Sequence, residues 1–120
     1  MKNAKLLFPA LAILVLSFSL AWADHPMERG RDLFKDPHLS GGVIACNSCH
    51  PGGAGLEEVA GKTEFTVRGE TFDTLEEVVN YWLEYGNMGR PLEVDSHLMR
   101  DLVAYIKSRA EDWERDMEHN

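Results

Sequence analysis

The chain has 120 residues, 44% hydrophobic and 27% charged, with 20 acidic against 12 basic side chains and a formal charge of −8. That length supports one small domain with a modest core, and the acidity argues against nucleic acid as a partner. Both cysteines fall within one run of five residues, 46–50, so any chemistry they carry is local.

Lys2 and Lys5 precede an apolar stretch from Leu6 to Leu20, and Ala21-Trp22-Ala23 forms a small-residue cleavage site before Asp24. This is the pattern of a secretory signal peptide over residues 1–23, leaving one domain over 24–120 and a periplasmic location. All 20 acidic residues lie beyond that leader, whereas Lys2 and Lys5 leave with it, so the exported part is more acidic than the whole. Retained, the leader would tie the chain to a membrane. Against that, Pro9 interrupts it and its apolar length is marginal for a span.

Pro26 to Asp36 predicts a first helix in which Met27, Arg31 and Phe34 share a face beside Gly30 and Leu33, with Pro37 ending it. Ser40 to Gly55 holds five glycines and one proline and is expected to be mostly loop around one short turn. Within it lies Cys46-Asn47-Ser48-Cys49-His50. A bare C-x-x-C also fits a thioredoxin-like redox pair, half a zinc site or a disulfide across a tight loop. The redox pair wants a βαβ context, which residues 40–60 do not offer. Zinc needs about four ligands, so His25, His38, His97 or His119 would have to complete the set. The histidine in fifth position favours another chemistry. Two thiols at this spacing add across the vinyl groups of a haem, and the next residue offers its imidazole to the iron. Export agrees, because in bacteria haem is joined to such motifs outside the cytoplasm.

Further along, Phe65, Val67 and Arg68-Gly69 within Glu64 to Phe72 suggest a small β-hairpin. Thr74-Leu75-Glu76-Glu77 is a capping-box sequence opening a helix to about Tyr85, with Leu75, Val78, Val79 and Trp82 as its apolar stripe. Gly86 is placed to stop it. Asn87 to Val94 reads as a loop. Asp95 or Ser96 then caps a last helix carrying Leu98, Met99, Leu102, Val103 and Ile106 at helical spacing. From about residue 109 the chain is charged, Trp113 and Met117 being its large apolar residues, which predicts an extended or frayed solvated helix.

The helix with Gly30, Leu33 and Phe34, the motif Cys46 to His50 and the segment Leu102 to Ser108 together resemble the class I, monohaem c-type cytochromes over essentially the whole exported domain. The resemblance implies an all-α cytochrome c fold: three to four helices around one covalently bound haem c and its iron. The first and last helices would cross at Gly30 and Tyr105. It also implies a methionine sixth ligand on a loop before the last helix. Met88, flanked by Gly86 and Gly89, stands there, although the family usually writes Met-Pro where this chain has Met88-Gly89-Arg90-Pro91. Met99 lies on the apolar stripe of the last helix and reads as core, while Met27 and Met117 lie near the ends of the domain. The second ring nitrogen of His50 is expected to donate to a backbone carbonyl, and Ala54 stands where similar cytochromes carry a proline. The expected site is therefore Cys46, Cys49, His50 and Met88, with His50 and Met88 on the iron. Arg68 and Arg90 are candidates to pair with haem propionates; Trp82 and Tyr85 would bond a propionate or simply pack.

Gly89-Arg90-Pro91-Leu92, Asp95-Ser96 and Met99 to Ile106 more narrowly resemble the haem domains of thiosulfate dehydrogenases and sulfur-oxidising diheme cytochromes. Those enzymes use two haems and a cysteine ligand. This chain has one motif and Trp82 at the corresponding place, which argues against thiosulfate oxidation by this chain alone. The expected function is a periplasmic carrier of single electrons rather than an enzyme, its acidic surface steered to basic patches on redox-protein partners. The alternative is a haem subunit in sulfur-compound oxidation, or an open-site haem protein that binds a small ligand or senses one. No paired catalytic carboxylates, Ser/His/Asp set or phosphate loop stands out.

Overall fold

A computed structural model describes residues 25–118, with side chains described as far as residue 112. In chain order these residues form α1 (Pro26–Lys35), α2 (Cys46–Cys49), β1 (Phe65–Val67), β2 (Glu70–Phe72), α3 (Leu75–Tyr85) and α4 (His97–Glu118), with short 3-10 turns between them. The architecture is mainly helical with one small antiparallel hairpin. The expected signal segment and His119 lie outside the described residues.

Pro26 opens α1 at a position where its missing N–H has no helical partner to lose. At the other end the Asp36 N–H donates to the Leu33 carbonyl. The buried face is not the one expected from spacing. Gly30 and Phe34 are buried and Leu33 is half-buried, whereas Met27 and Arg31 are exposed. The cause is α4. A Cβ at Gly30 would overlap the Asp101 carbonyl and lie 2.6 Å from Tyr105 Cβ, so only glycine admits this approach of the two backbones. With the contact centred on Gly30, Phe34 falls one turn along the same line, and Arg31 is rotated roughly 100° away. The Phe34 ring stands 5.3 Å from that of Tyr105 at 60°, and Arg29 Nε donates to Asp101 Oδ2 at 2.7 Å beside them.

The hairpin pairs Phe65 with Phe72 and Val67 with Glu70, turning at Arg68 and Gly69, both on left-handed backbone. It delivers Thr74 to the start of α3, where the capping box forms. Thr74 Oγ1 accepts the Glu77 N–H at 3.3 Å, and Glu77 Oε2 accepts the Thr74 N–H at 3.2 Å. Leu75, Val79 and Leu83, each four residues apart, face the core. Trp82 does not join them and is 41% exposed, which corrects the expected stripe. Gly86 follows the last helical residue, its N–H donating to the Trp82 carbonyl.

Ser96, rather than Asp95, caps α4, its Oγ accepting the Met99 N–H at 3.2 Å. Met99 and Leu102 are completely buried, with Val103 and Ile106 close behind, and they meet α1, α3 and the hairpin in one core. Met99 is thus a core side chain. The helix continues to Glu118, and Ala110 is 1% exposed, so its later turns begin as a packed segment and not as a frayed one.

Candidate functional site

The motif forms a single helical turn, α2, hung between glycine-containing loops. Cys46 and Cys49 stand three apart and so face the same side of that turn. Both thiols are free; Cys46 is half-buried and Cys49 exposed. His50 closes the turn, its N–H donating to the Cys46 carbonyl at 3.0 Å. The chain then doubles back through Pro51–Gly53, with the Gly53 N–H on the His50 carbonyl at 2.9 Å and the Gly52 N–H on Asn47 Oδ1 at 3.1 Å. This reversal brings the Ala54 carbonyl 2.9 Å from His50 Nδ1. A carbonyl only accepts, so Nδ1 is the donor in this contact, and in the neutral ring the lone pair then lies on Nε2. The ring is oriented by the carbonyl anticipated for it.

A second loop is sewn to the approach of this turn. The Val43 N–H donates to the Asn87 carbonyl at 2.9 Å, and the Arg90 N–H to the Ser40 carbonyl at 3.0 Å. The Gly89 N–H reaches back to the Leu83 carbonyl at 2.8 Å. Gly89 fits because it has no side chain: a Cβ there would stand 3.0 Å from the Gly42 nitrogen and 3.1 Å from the Ser40 carbonyl oxygen. Asn87, buried, places its Nδ2 3.7 Å from Cys46 Sγ. Met88 is therefore next in chain to a residue that touches the first thiol. Its backbone is left-handed (φ 62°) and its side chain is 68% exposed, not committed to the core. Asn80 on α3 secures the far end of the loop, its amide donating to the Leu92 carbonyl at 2.9 Å and accepting the Leu92 N–H at 2.8 Å.

Burial pushes the Cys46 thiol above its ordinary pKa, with the Asn87 contact acting the other way. Glu57 lies close by, its Oε1 accepting the Gly55 N–H at 2.9 Å. That bond, more than the nearby His50, holds the Glu57 carboxyl below its usual range. Beside the motif and on the loop tied to it, large apolar side chains stay exposed, among them Val43 (60%), Ile44 and Met88. The Trp82 ring lies against Gly86 at the base of the same loop.

The structure thus brings Cys46, Cys49 and His50 onto one turn and ties the Met88 loop beside it. Arg90 reaches over Gly41 next to this region, whereas Arg68 sits at the tip of the hairpin. Sequence reasoning passed over Asn80, Asn87 and Arg109.

Among the described residues no three or more His, Cys, Asp or Glu side chains are arranged to hold a metal ion directly, so the zinc reading gains no partners for Cys46 and Cys49. Nor does any described helix have the length and apolarity to cross a membrane. A cleft of about 420 Å³ between α1 and the start of α4 is lined by Arg29, Asp36, His97 and Asp101 among others. A smaller one of about 280 Å³ lies near Phe65, Thr74 and Lys107. Neither includes the motif. Comparison of the chain with protein-family models, with curated proteins and with solved structures gave no match.

Proposed function

We propose that this chain is an exported, monohaem c-type cytochrome with a cytochrome c fold that passes single electrons between protein partners in the periplasm. The observation that carries the reading is the 2.9 Å contact of His50 Nδ1 with the Ala54 carbonyl, which leaves Nε2 free on the same turn as two free thiols. The residues fit a covalently attached haem. Cys46 and Cys49 would form the thioethers and His50 the first axial bond. Val43, Ile44, Trp82, Tyr85 and Met88 supply exposed apolar surface for which the core has no use. The haem supplies a one-electron iron couple when bound. Met88 would complete the axial pair, its thioether favouring the reduced form. With His50 and Met88 both held to the iron, the chain would offer no position for a substrate, and electron transfer would be its task. Its acidic surface suits partners with basic docking patches.

The test is an optical one on chain exported from a haem-attaching host. We expect a mass increased by one haem, a far-red sulfur-to-iron band, and no uptake of carbon monoxide by the reduced protein. In Met88→Ala the band disappears and carbon monoxide binds. A band that survives Met88→Ala removes Met88 from the site. Ready carbon monoxide binding by the unaltered chain would favour the open-site alternative, and a chain without covalent haem would end the proposal.

A further inference from the structure

We infer that Arg109, from the charged end of α4, is a positioning residue for His50, acting through the loop that follows the motif. The inference rests on the haem reading above. The Ala54 carbonyl can hold the imidazole only while residues 51–55 hold their shape. The hydrogen bonds within that loop are short-range: Ala54 N–H to the Pro51 carbonyl at 3.2 Å, and Leu56 N–H to the Gly53 carbonyl at 3.0 Å. Arg109 supplies a tie from elsewhere in the chain.

Arg109 Nε donates to the Gly52 carbonyl at 3.2 Å, across 57 residues of sequence. Its aliphatic stem lies flat on Gly53, where a Cβ would come to 2.8 Å from Arg109 Cβ and 3.1 Å from Cγ. Gly53 is buried there on left-handed backbone (φ 89°), two requirements that only glycine meets together. The guanidinium is itself held, one terminal nitrogen donating to Asp112 Oδ2 at 2.7 Å one turn along the helix. Ala110, beside it and 1% exposed, fixes this stretch of α4 against the domain. The order of dependence therefore runs from Asp112 to Arg109, to the 52–53 backbone, to the Ala54 carbonyl, and to His50 Nδ1. A carbonyl kept on Nδ1–H makes Nε2 a stronger donor toward a metal. Loosening the loop weakens that donor and so favours the reduced iron.

The test uses the full exported chain, as isolated and then reduced, with Arg109→Ala, Arg109→Lys and Asp112→Asn. Mass is read first on the unaltered chain and decides the haem reading alone. The clamp is decided separately, by nitrogen NMR of the His50 ring. The unaltered chain should show a single Nδ1–H tautomer with slow solvent exchange. Arg109→Ala should speed that exchange roughly fivefold, the loss of about one ordinary hydrogen bond. With haem present, its midpoint potential should rise. Arg109→Lys keeps the stem and a point donor and should recover part of both changes. Asp112→Asn, which leaves the stem in place, should give a smaller change in the same direction. A residue that merely stabilised the fold would lower the unfolding midpoint and leave tautomer, exchange rate and potential where they were. That result in Arg109→Ala and Asp112→Asn would overturn the inference.

Discussion

The crossing of α1 with α4 and the face that carries Cys46 to His50 are built in opposite ways. At the crossing, side chains do the joining. Phe34 is 1% exposed, Met99 and Leu102 are completely buried, and Gly30 lets Tyr105 and the Asp101 carbonyl close on it with no space left. At the motif face, backbone does the joining. Loop meets loop through the Val43–Asn87 and Ser40–Arg90 hydrogen bonds, while Val43 and Met88 remain more than half exposed. The first region buries its side chains against one another. The second has its shape set while Val43 and Met88 stay uncovered, the surface on which the proposed haem would seat. Packing and uncovered apolar surface thus lie in different parts of a small domain.

The comparison breaks if the two regions fail together. Phe34→Ala empties a site between α1 and α4 and should lower the free energy of unfolding by about 4 kcal/mol in urea titration. Short of unfolding, it should leave the far-red band expected from Met88 unchanged. Met88→Ala should do the reverse, abolishing the band while far-UV dichroism retains the helical crossing. If Phe34→Ala shifts the band in folded protein, the regions are coupled and the division drawn here is wrong.

What was legible in the sequence follows the same division, read by range. Local instructions were plain: the Thr74–Glu77 box, the Arg68-Gly69 turn, and a cap at Asp95 or Ser96, of which the structure takes Ser96. Each is decided within a few residues. The errors concern which face of a helix turns inward. Spacing made Met27 and Arg31 neighbours of Phe34, but the face of α1 is selected by where a glycine lets α4 approach, and no pattern within α1 encodes that. Helical spacing set Trp82 in the stripe of Leu75, Val78 and Val79, yet Leu83 continues the line of Leu75 and Val79 at four-residue spacing. The loop ties were invisible for a plainer reason. Asn87 finds Cys46 across 41 residues and Arg109 finds Gly52 across 57, and nothing about a lone asparagine or a charged tail announces a partner so far off.

A smaller effect sharpens the account of the crossing. The Arg29 guanidinium, hydrogen-bonded to Asp101 at 2.7 Å and 3.4 Å, holds that carboxyl below its usual range against the opposing effect of burial. A carboxyl with a lowered folded pKa contributes stability above its unfolded value, near 3.9, and loses it as the pH falls through the folded value. Acid unfolding should therefore steepen below about pH 4. Asp101→Asn should remove about 1.5 kcal/mol at neutral pH and flatten the dependence below pH 4. An unchanged acid limb in that variant would move the effect to other carboxylates. The pair belongs to the crossing alone, so the His50 and Met88 signals should not respond.

The smallest effect concerns the element that serves both regions. α3 starts at the hairpin with its capping box, turns Leu75, Val79 and Leu83 into the core, and ends at Gly86, from which the Met88 loop departs. Thr74→Ala removes the acceptor for the Glu77 N–H at the far end of the helix from that loop. The expected loss is about 1 kcal/mol in unfolding, with no change in carbon monoxide exclusion or in the far-red band. The reasoning is mechanical: fraying begins at an uncapped first turn, and the Leu83 carbonyl that anchors Gly89 lies more than one turn beyond the reach of such fraying. Should Thr74→Ala weaken the band as well, α3 transmits disorder along its whole length. The loop would then owe its position to the helix more than to the stitches at Ser40 and Val43.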